Sequence, residues 1–239
     1  MLSKDSIVFE ITEYEYNPTM NYRENLQLQK LVSIFLEKNT HINLSAIRDE
    51  EGVWMKHIED SLVTVPLFEQ FGDKKLKILD LGTGGGFPGL PLATVLPQHD
   101  FTLLDATRKK IDCVREFAET LGLTNVTPQW GRVEDMRAAI MKDERKHNKN
   151  GIIFMDGTPS TSDHYDIVVT RAAAYIEDLF TWIKPLLKVD GRAWIYKQAS
   201  EEEWDDGQQL AKNRGMILTK ALTYNLADQE RWILEIRKK

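Results

Sequence analysis

From Asp80 to Gly89 the chain reads Asp-Leu-Gly-Thr-Gly-Gly-Gly-Phe-Pro-Gly. Glycines at 82, 84, 85 and 86 let the backbone take positive φ and leave no side chains over the turn, so an adenosine-type ligand can approach the main chain closely. Pro88 suits a first helical turn, where its missing N–H has no intrahelical acceptor. Gly84 to Gly89 also spell G-x-G-x-x-G, the dinucleotide pattern, so the glycines alone do not choose a ligand. The flanking acids discriminate better. Asp80 sets a carboxylate at the end of the preceding strand, where it meets an amino-acid ammonium directly or through water and repels a pyrophosphate. Asp105 ends the next strand about 20 to 25 residues on, within reach of ribose hydroxyls of either nucleotide. After a third strand, Val133 and Glu134 of GRVEDM stand where a loop frames an adenine ring. Glu134 fits equally as the first-turn acid of the following helix.

On the substrate side, Arg171 follows the strand DIVVT directly. Its planar guanidinium suits bidentate contact with guanine or phosphate, or a salt bridge at a strand end. His57 lies on a helical face beside Trp54 and Ile58, where a packed or hydrogen-bonded ring is as good a reading as a site role. Further basic residues, among them Arg48, Lys56, Arg108 to Lys110, Arg132, Arg192 and Lys197, are scattered. His41, His57, His99, His147 and His164 lack carboxylate or thiol partners at ligand spacing, so no metal site is expected. Cys113 sits beside Val114 and Phe117 in a helical pattern. It reads as a buried thiol, and with no second cysteine the expected compartment is the reducing cytoplasm.

These groups need a scaffold that brings strand ends together. The apolar run KLKILDL (75–81) ends at the glycines, as a buried parallel strand should. Strands then follow at 101–105, 125–130, 166–170 and 192–197, separated by expected helices at 88–95, 108–122, 134–147 and 175–187. This alternation demands crossover helices and a largely parallel sheet. An acidic helix near 200–213 precedes strands 216–226 and 231–237, whose short connection predicts an antiparallel hairpin. Upstream, residues 1–18 read as an N-terminal arm. Residues 19–72 read as a helical extension, with one helix ending near Asn39 and Thr40 and another over 53–68. The main domain spans 73–239. The polar stretch within 141–165 reads as an inserted loop, with IIFM as a possible short strand.

Composition sets the outer bounds. The 239 residues carry a net charge of -6, with 42% hydrophobic and 28% charged residues. That balance fits one sizeable α/β domain with a helical extension and argues against non-specific nucleic-acid binding, while leaving room for a local basic face. No run of about 18 apolar residues is present, so no membrane span is expected.

NLSAIRDEEGVWMKHIEDSL, LDLGTGGGFPGLPLA, TLLDATRKKIDCVREFAETLGLTNV and TRAAAYIEDLFTWIKPLLKVDGR, in this order along the chain, resemble the bacterial ribosomal small-subunit methyltransferase G family, also called glucose-inhibited division protein B. The Phe-Pro-Gly-Leu-Pro after the glycines and the Asn-Leu-Ser-Ala-Ile-Arg before the domain are the most specific of these. The resemblance implies a class I methyltransferase fold, Rossmann-like, with a seven-stranded, mostly parallel sheet and an antiparallel C-terminal hairpin. It implies methylation of N7 of one guanine of 16S ribosomal RNA, the guanine-527 type position, with S-adenosylmethionine as cofactor. The partner would be 16S RNA or the small-subunit particle, and the enzyme would be cytoplasmic.

Carried onto this chain, cofactor contacts would fall on Gly82, Phe87, Val133, Glu134 and Arg171, with Asp105 near the ribose; Asp80 and Gly84 join them from the loop chemistry. The RNA-side and catalytic-pocket positions would be Asn43, Arg48, His57, Arg132, Arg171 and Lys197. Three features depart from the family: the 141–165 insert, Val-Asp-Gly in place of a double glycine, and Gln198 after Lys197 where glycine is common. Oligomeric state is not readable, and a monomer is the working expectation. The alternatives are a methyltransferase of the same fold acting on another RNA or a small molecule, an NAD(P)-dependent oxidoreductase, and a binding module that has lost the chemistry.

Overall fold

A computed structural model describes residues 21–135, 164–171 and 174–238. The expected arm at 1–18, all but the first two residues of the helix at 134–147, and nearly all of the 141–165 insert lie outside the described residues.

The strands are β1 (Lys77–Leu81), β2 (Asp100–Asp105), β3 (Val126–Trp130), β4 (Tyr165–Thr170), β5 (Leu187–Gln198), β6 (Met216–Leu226) and β7 (Gln229–Lys238). They form one sheet in the order β3-β2-β1-β4-β5-β7-β6, with β7 antiparallel to both of its neighbours. Strand order reverses between β1 and β4. Ligands of open α/β sheets bind at such a reversal, outside the carboxyl ends of the strands. Gly82 follows β1 and Arg171 follows β4, so the chemistry-bearing residues stand on either side of that crevice.

Apolar side chains cover both faces of the sheet. One face packs Ile78, Phe101, Ile167 and Trp194 against α4 (Gly89–Val95), α5 (Arg108–Leu121) and the N-terminal helix α1 (Leu26–His41). The other packs Leu79, Val168 and Ile195 against α6 (Ile176–Ile183) and α7 (Glu201–Asn213). Leu28, Leu31 and Phe35 of α1 are fully buried in the same cluster as Phe117 of α5. The N-terminal helices therefore share one core with the sheet.

Three boundaries differ from the sequence reading. The stretch at 53–68 is a composite: α2 (Glu50–Val53) passes through a π turn (Trp54–Glu59) into α3 (Asp60–Leu62), then a 3-10 turn at Val65–Phe71. The helix expected to reach 187 ends at Ile183. Pro185 falls in a 3-10 turn, and β5 starts at Leu187, five residues earlier than expected. A Cβ on Gly191 would lie 2.9 Å from both Lys188 N and Tyr165 O, so Val-Asp-Gly is an irregular part of the strand that only glycine can close. The final hairpin turns on Ala227 and Asp228, both at positive φ, which is tighter than the expected Asp-Gln-Glu connection.

Candidate active site

The glycine loop is held from beneath by two carboxylates. Asp80 is fully buried; its Oδ2 accepts from the Thr83 hydroxyl at 2.6 Å and from the Gly89 amide at 2.7 Å, and its Oδ1 has no partner. Burial pushes its pKa up to about 6, against the lowering effect of those two hydrogen bonds. Asp105 accepts from the Gly84 amide at 2.9 Å through Oδ2 and from the Thr107 amide at 2.7 Å through Oδ1. It thus ties β2 to the loop while keeping further lone pairs for ribose hydroxyls. Gly82 and Gly84 take φ of 74° and 58°, which fixes the turn. A Cβ on Gly89 would meet Asp80 Oδ2 and Leu103 Cγ at 2.7 Å, so this glycine brings the helix N-terminus down onto the carboxylate.

Above the loop opens a cleft of about 310 Å³ lined by Gly82 to Gly85, Phe87, Ser45, His57, Asp60, Lys56, Arg171 and Arg231, among others. Phe87 is its platform. The His57 ring stacks on it at 4.6 Å and 12°, the Arg171 guanidinium carbon lies 5.6 Å from its centroid, and Phe35 meets it edge-on at 5.0 Å. His57 Nε2 lies 2.8 Å from the Ser45 hydroxyl, and Nδ1 lies 3.1 Å from the Lys56 carbonyl and 3.5 Å from Arg171 Nη2. Burial first, and Arg171 second, lower the imidazole pKa to about 4. The ring is neutral at pH 7, with both nitrogens engaged.

Asp60 lies at the start of α3, immediately after the π turn, and is 1% exposed. Its Oδ2 accepts from Arg171 Nη1 at 2.9 Å and its Oδ1 accepts from the Tyr224 hydroxyl at 2.7 Å. Arg171 Nη1 also donates to the Lys56 carbonyl at 3.0 Å. From the other side, Arg231 Nε stands 3.5 Å from Asp60 Oδ1, a charge contact without hydrogen-bond geometry. The upstream loop is tied by Asn39, 2% exposed, which donates to the carbonyls of Ser45 and Ile47 and accepts from the amides of Leu44 and Ser45. That fully used amide sets Ser45 against His57.

The structure brings together Gly82, Gly84, Phe87, His57 and Arg171, with Asp80 and Asp105 supporting the loop. Val133 is buried beside Leu81 and Leu104, and Glu134 is exposed next to it, at the β3 end where the Gly131 amide reaches the Asp105 carbonyl. Arg132 is exposed at that same edge, outside the residues lining the cleft. Asn43 is at the rim, accepting from Arg48 Nη2 at 2.8 Å. Lys197 is not brought to the cleft. Its ammonium donates to Glu203 at 2.6 Å and to the Ala174 carbonyl at 2.8 Å, in a larger, acid-lined cavity of about 790 Å³. That cavity contains none of the glycine loop, so the smaller cleft is the site. Sequence reasoning missed Asp60, Ser45, Asn39, Tyr224 and Arg231. Only Asp60 left a signal: a carboxylate one helical turn from His57, between the apolar Ile58 and Leu62.

An orphaned buried carboxylate oxygen beneath a glycine cradle, and an acid at the end of β2, suit a ligand with both an ammonium and a ribose. Together with the strand order, they define a class I methyltransferase that uses S-adenosylmethionine. The chain belongs to the rRNA small subunit methyltransferase G family, whose model matches residues 24–231. It is 40% identical over 190 residues to ribosomal RNA small subunit methyltransferase G of Deinococcus radiodurans, covering 79% of this chain and 67% of that protein. With the protein of the same name from Lactococcus lactis it is 30% identical over 240 residues, covering 100% and 92%. Among solved structures it is similar in fold to an O-methyltransferase from Bacillus cereus in complex with SAH, at TM-score 0.58 and 17% identity, covering 87% of this chain and 91% of that one. A methyltransferase from Pyrococcus furiosus matches at TM-score 0.52 and 12% identity, covering 75% and 83%. Among the described residues no helix is long and apolar enough to cross a membrane.

Proposed function

We propose that this chain methylates N7 of one guanine of 16S ribosomal RNA, acting as a cytoplasmic monomer on the RNA or on a small-subunit particle. The observation that carries the reading is the cleft itself. On a chain of net charge -6, it gathers Lys56, Arg171 and Arg231 around a single carboxylate, next to the glycine loop. Such a local field favours an anionic polymer even where the whole molecule is acidic.

Gly82, Gly84, Asp80 and Asp105 would hold S-adenosylmethionine, which when bound supplies an electrophilic methyl group on a sulfonium. Asp80, buried beneath the loop with Oδ1 unpartnered, would attract the ammonium by its charge, and Asp105 would offer the ribose the lone pairs its loop contacts leave over. Guanine N7 carries a lone pair and no proton, so the site needs no general base. The neutral, doubly engaged His57 agrees with this: it braces Phe87 and Arg171 and takes no proton. What the residues contribute is placement, which alone is worth several kcal/mol in order of magnitude (about 7 to 11 at the limit). Arg171, 15% exposed and fixed by Asp60 and the Lys56 carbonyl, presents its remaining N–H groups to guanine O6 or a neighbouring phosphate.

The test is methyl transfer by Arg171→Ala. Loss of about 100-fold or more in rate, with cofactor binding retained, is the expected result, on the scale of removing one preorganised donor. Unchanged transfer to 16S RNA would contradict the assignment.

A further inference from the structure

We infer that Arg231 is a second RNA-contacting cation and that Asp60 is the positioning residue that aims Arg171 and Arg231 together, as a two-arginine clamp, at one RNA phosphate beside the target base. This rests on the proposed RNA substrate. Three elements far apart in sequence converge on the carboxylate of Asp60: Arg171 from the end of β4, Arg231 from the start of β7, and Tyr224 from β6. A buried carboxylate joined to a single arginine would only neutralise it. Here one carboxylate faces two guanidiniums, with Lys56 also lining the cleft, so positive charge is left over where the cleft opens.

The geometry of Arg231 points the same way. Its Nε is buried without a hydrogen-bond partner, 3.5 Å from the Asp60 Oδ1 that accepts from Tyr224 at 2.7 Å, while the side chain keeps 23% of its surface exposed. The stem is therefore held by charge near Asp60, and the far end of the fork reaches the cleft that Arg231 lines. A planar fork in that setting matches an oxyanion bidentately. Two oxyanions are chemically eligible: an RNA phosphate and the carboxylate of the cofactor's amino-acid group. The clamp is assigned to phosphate because the cofactor's loop lies on β1, whereas Arg231 enters from the β7 side, beyond Arg171.

The full-length chain carries the test. Arg231→Gln should leave the cofactor Kd, measured without RNA, within about twofold. It should raise KM for 16S RNA about tenfold and lower the slope of log KM against log salt by about 0.7 to 0.9, the value of one phosphate contact. Asp60→Asn, at the carboxylate that faces both arginines, should lower the slope by at least as much. If Asp60 acts through the arginine, Asp60→Asn combined with Arg231→Gln should be no worse in slope than Asp60→Asn alone. Should Asp60→Asn fail to fold, Arg231→Gln decides the clamp on its own. Unchanged RNA KM and slope in Arg231→Gln would overturn the proposal, as would a raised cofactor Kd with an unchanged salt slope, which would give the anion to the cofactor. In the same assay, wild-type chain that leaves 16S RNA unmethylated would overturn the underlying reading instead.

Discussion

At the residue scale, Asp80 and His57, both in or under the site, push in opposite directions. Asp80, raised to about 6, takes up a proton on folding between its ordinary range and pH 6, so its charged form costs stability above that point. His57, lowered to about 4, stays neutral when folded, so stability is lost as pH falls from about 6.5 towards 4. Cofactor binding should isolate the first group. An ammonium bound above the loop favours the charged form of Asp80, so affinity for S-adenosylmethionine should weaken as pH falls through about 6. Asp80→Asn should bind about tenfold more weakly and lose that pH dependence, as calorimetric titration from pH 5 to 8 would show; an unchanged pH profile would remove Asp80 from the site. Since His57 is no base, His57→Gln should leave the shape of the kcat profile between pH 6 and 8 as it is. The loop acids, glycines and Arg171 were legible in the sequence because each stands at a strand end. Arg231 was not, because nothing local in Gln-Glu-Arg-Trp links it to a helix 171 positions upstream.

At the scale of elements, the site depends on two short connections. The loop over 42–48 is organised by Asn39, which the sequence reading took as a helix stop; it is in fact the last buried position of α1, facing its own downstream loop. Asn39→Ala would take the Asn39 partner from the Ser45 amide and from the Ser45 and Ile47 carbonyls, and would leave the Leu44 amide only its bond to the Ile42 carbonyl, costing about 1 to 3 kcal/mol. Urea unfolding should show that loss, with activity falling further because Ser45 no longer holds His57. Gly89→Ala should cost a similar 1 to 3 kcal/mol through overpacking against Leu103 and Asp80. A neutral or stabilising result would mean that the helix start is not packed on the carboxylate as described. The parallel strands were readable because both faces of each are buried. The break of the 53–68 helix was not, because the π turn that swings His57 and Asp60 towards the cleft carries the same 3.6-residue apolar pattern as a regular helix.

At the scale of the whole molecule, the sequence divided the chain into a helical extension and a sheet domain, whereas the packing joins them. Phe35 touches Phe87 and Phe117, and Asp60 is gripped from both β4 and the C-terminal hairpin. Thermal unfolding should therefore be a single cooperative transition, and a fragment of residues 73–239 should fail to fold, because Phe101, Phe117 and Trp194 would lose their cover. A stable fragment would contradict the shared core. The central claim is tested most directly by incubating the chain with methyl-labelled S-adenosylmethionine and 16S RNA from cells lacking this modification, then identifying the labelled nucleoside. The account predicts label in 7-methylguanosine, about 100-fold less with Arg171→Ala; label in any other nucleoside, or none with cofactor bound, would contradict it.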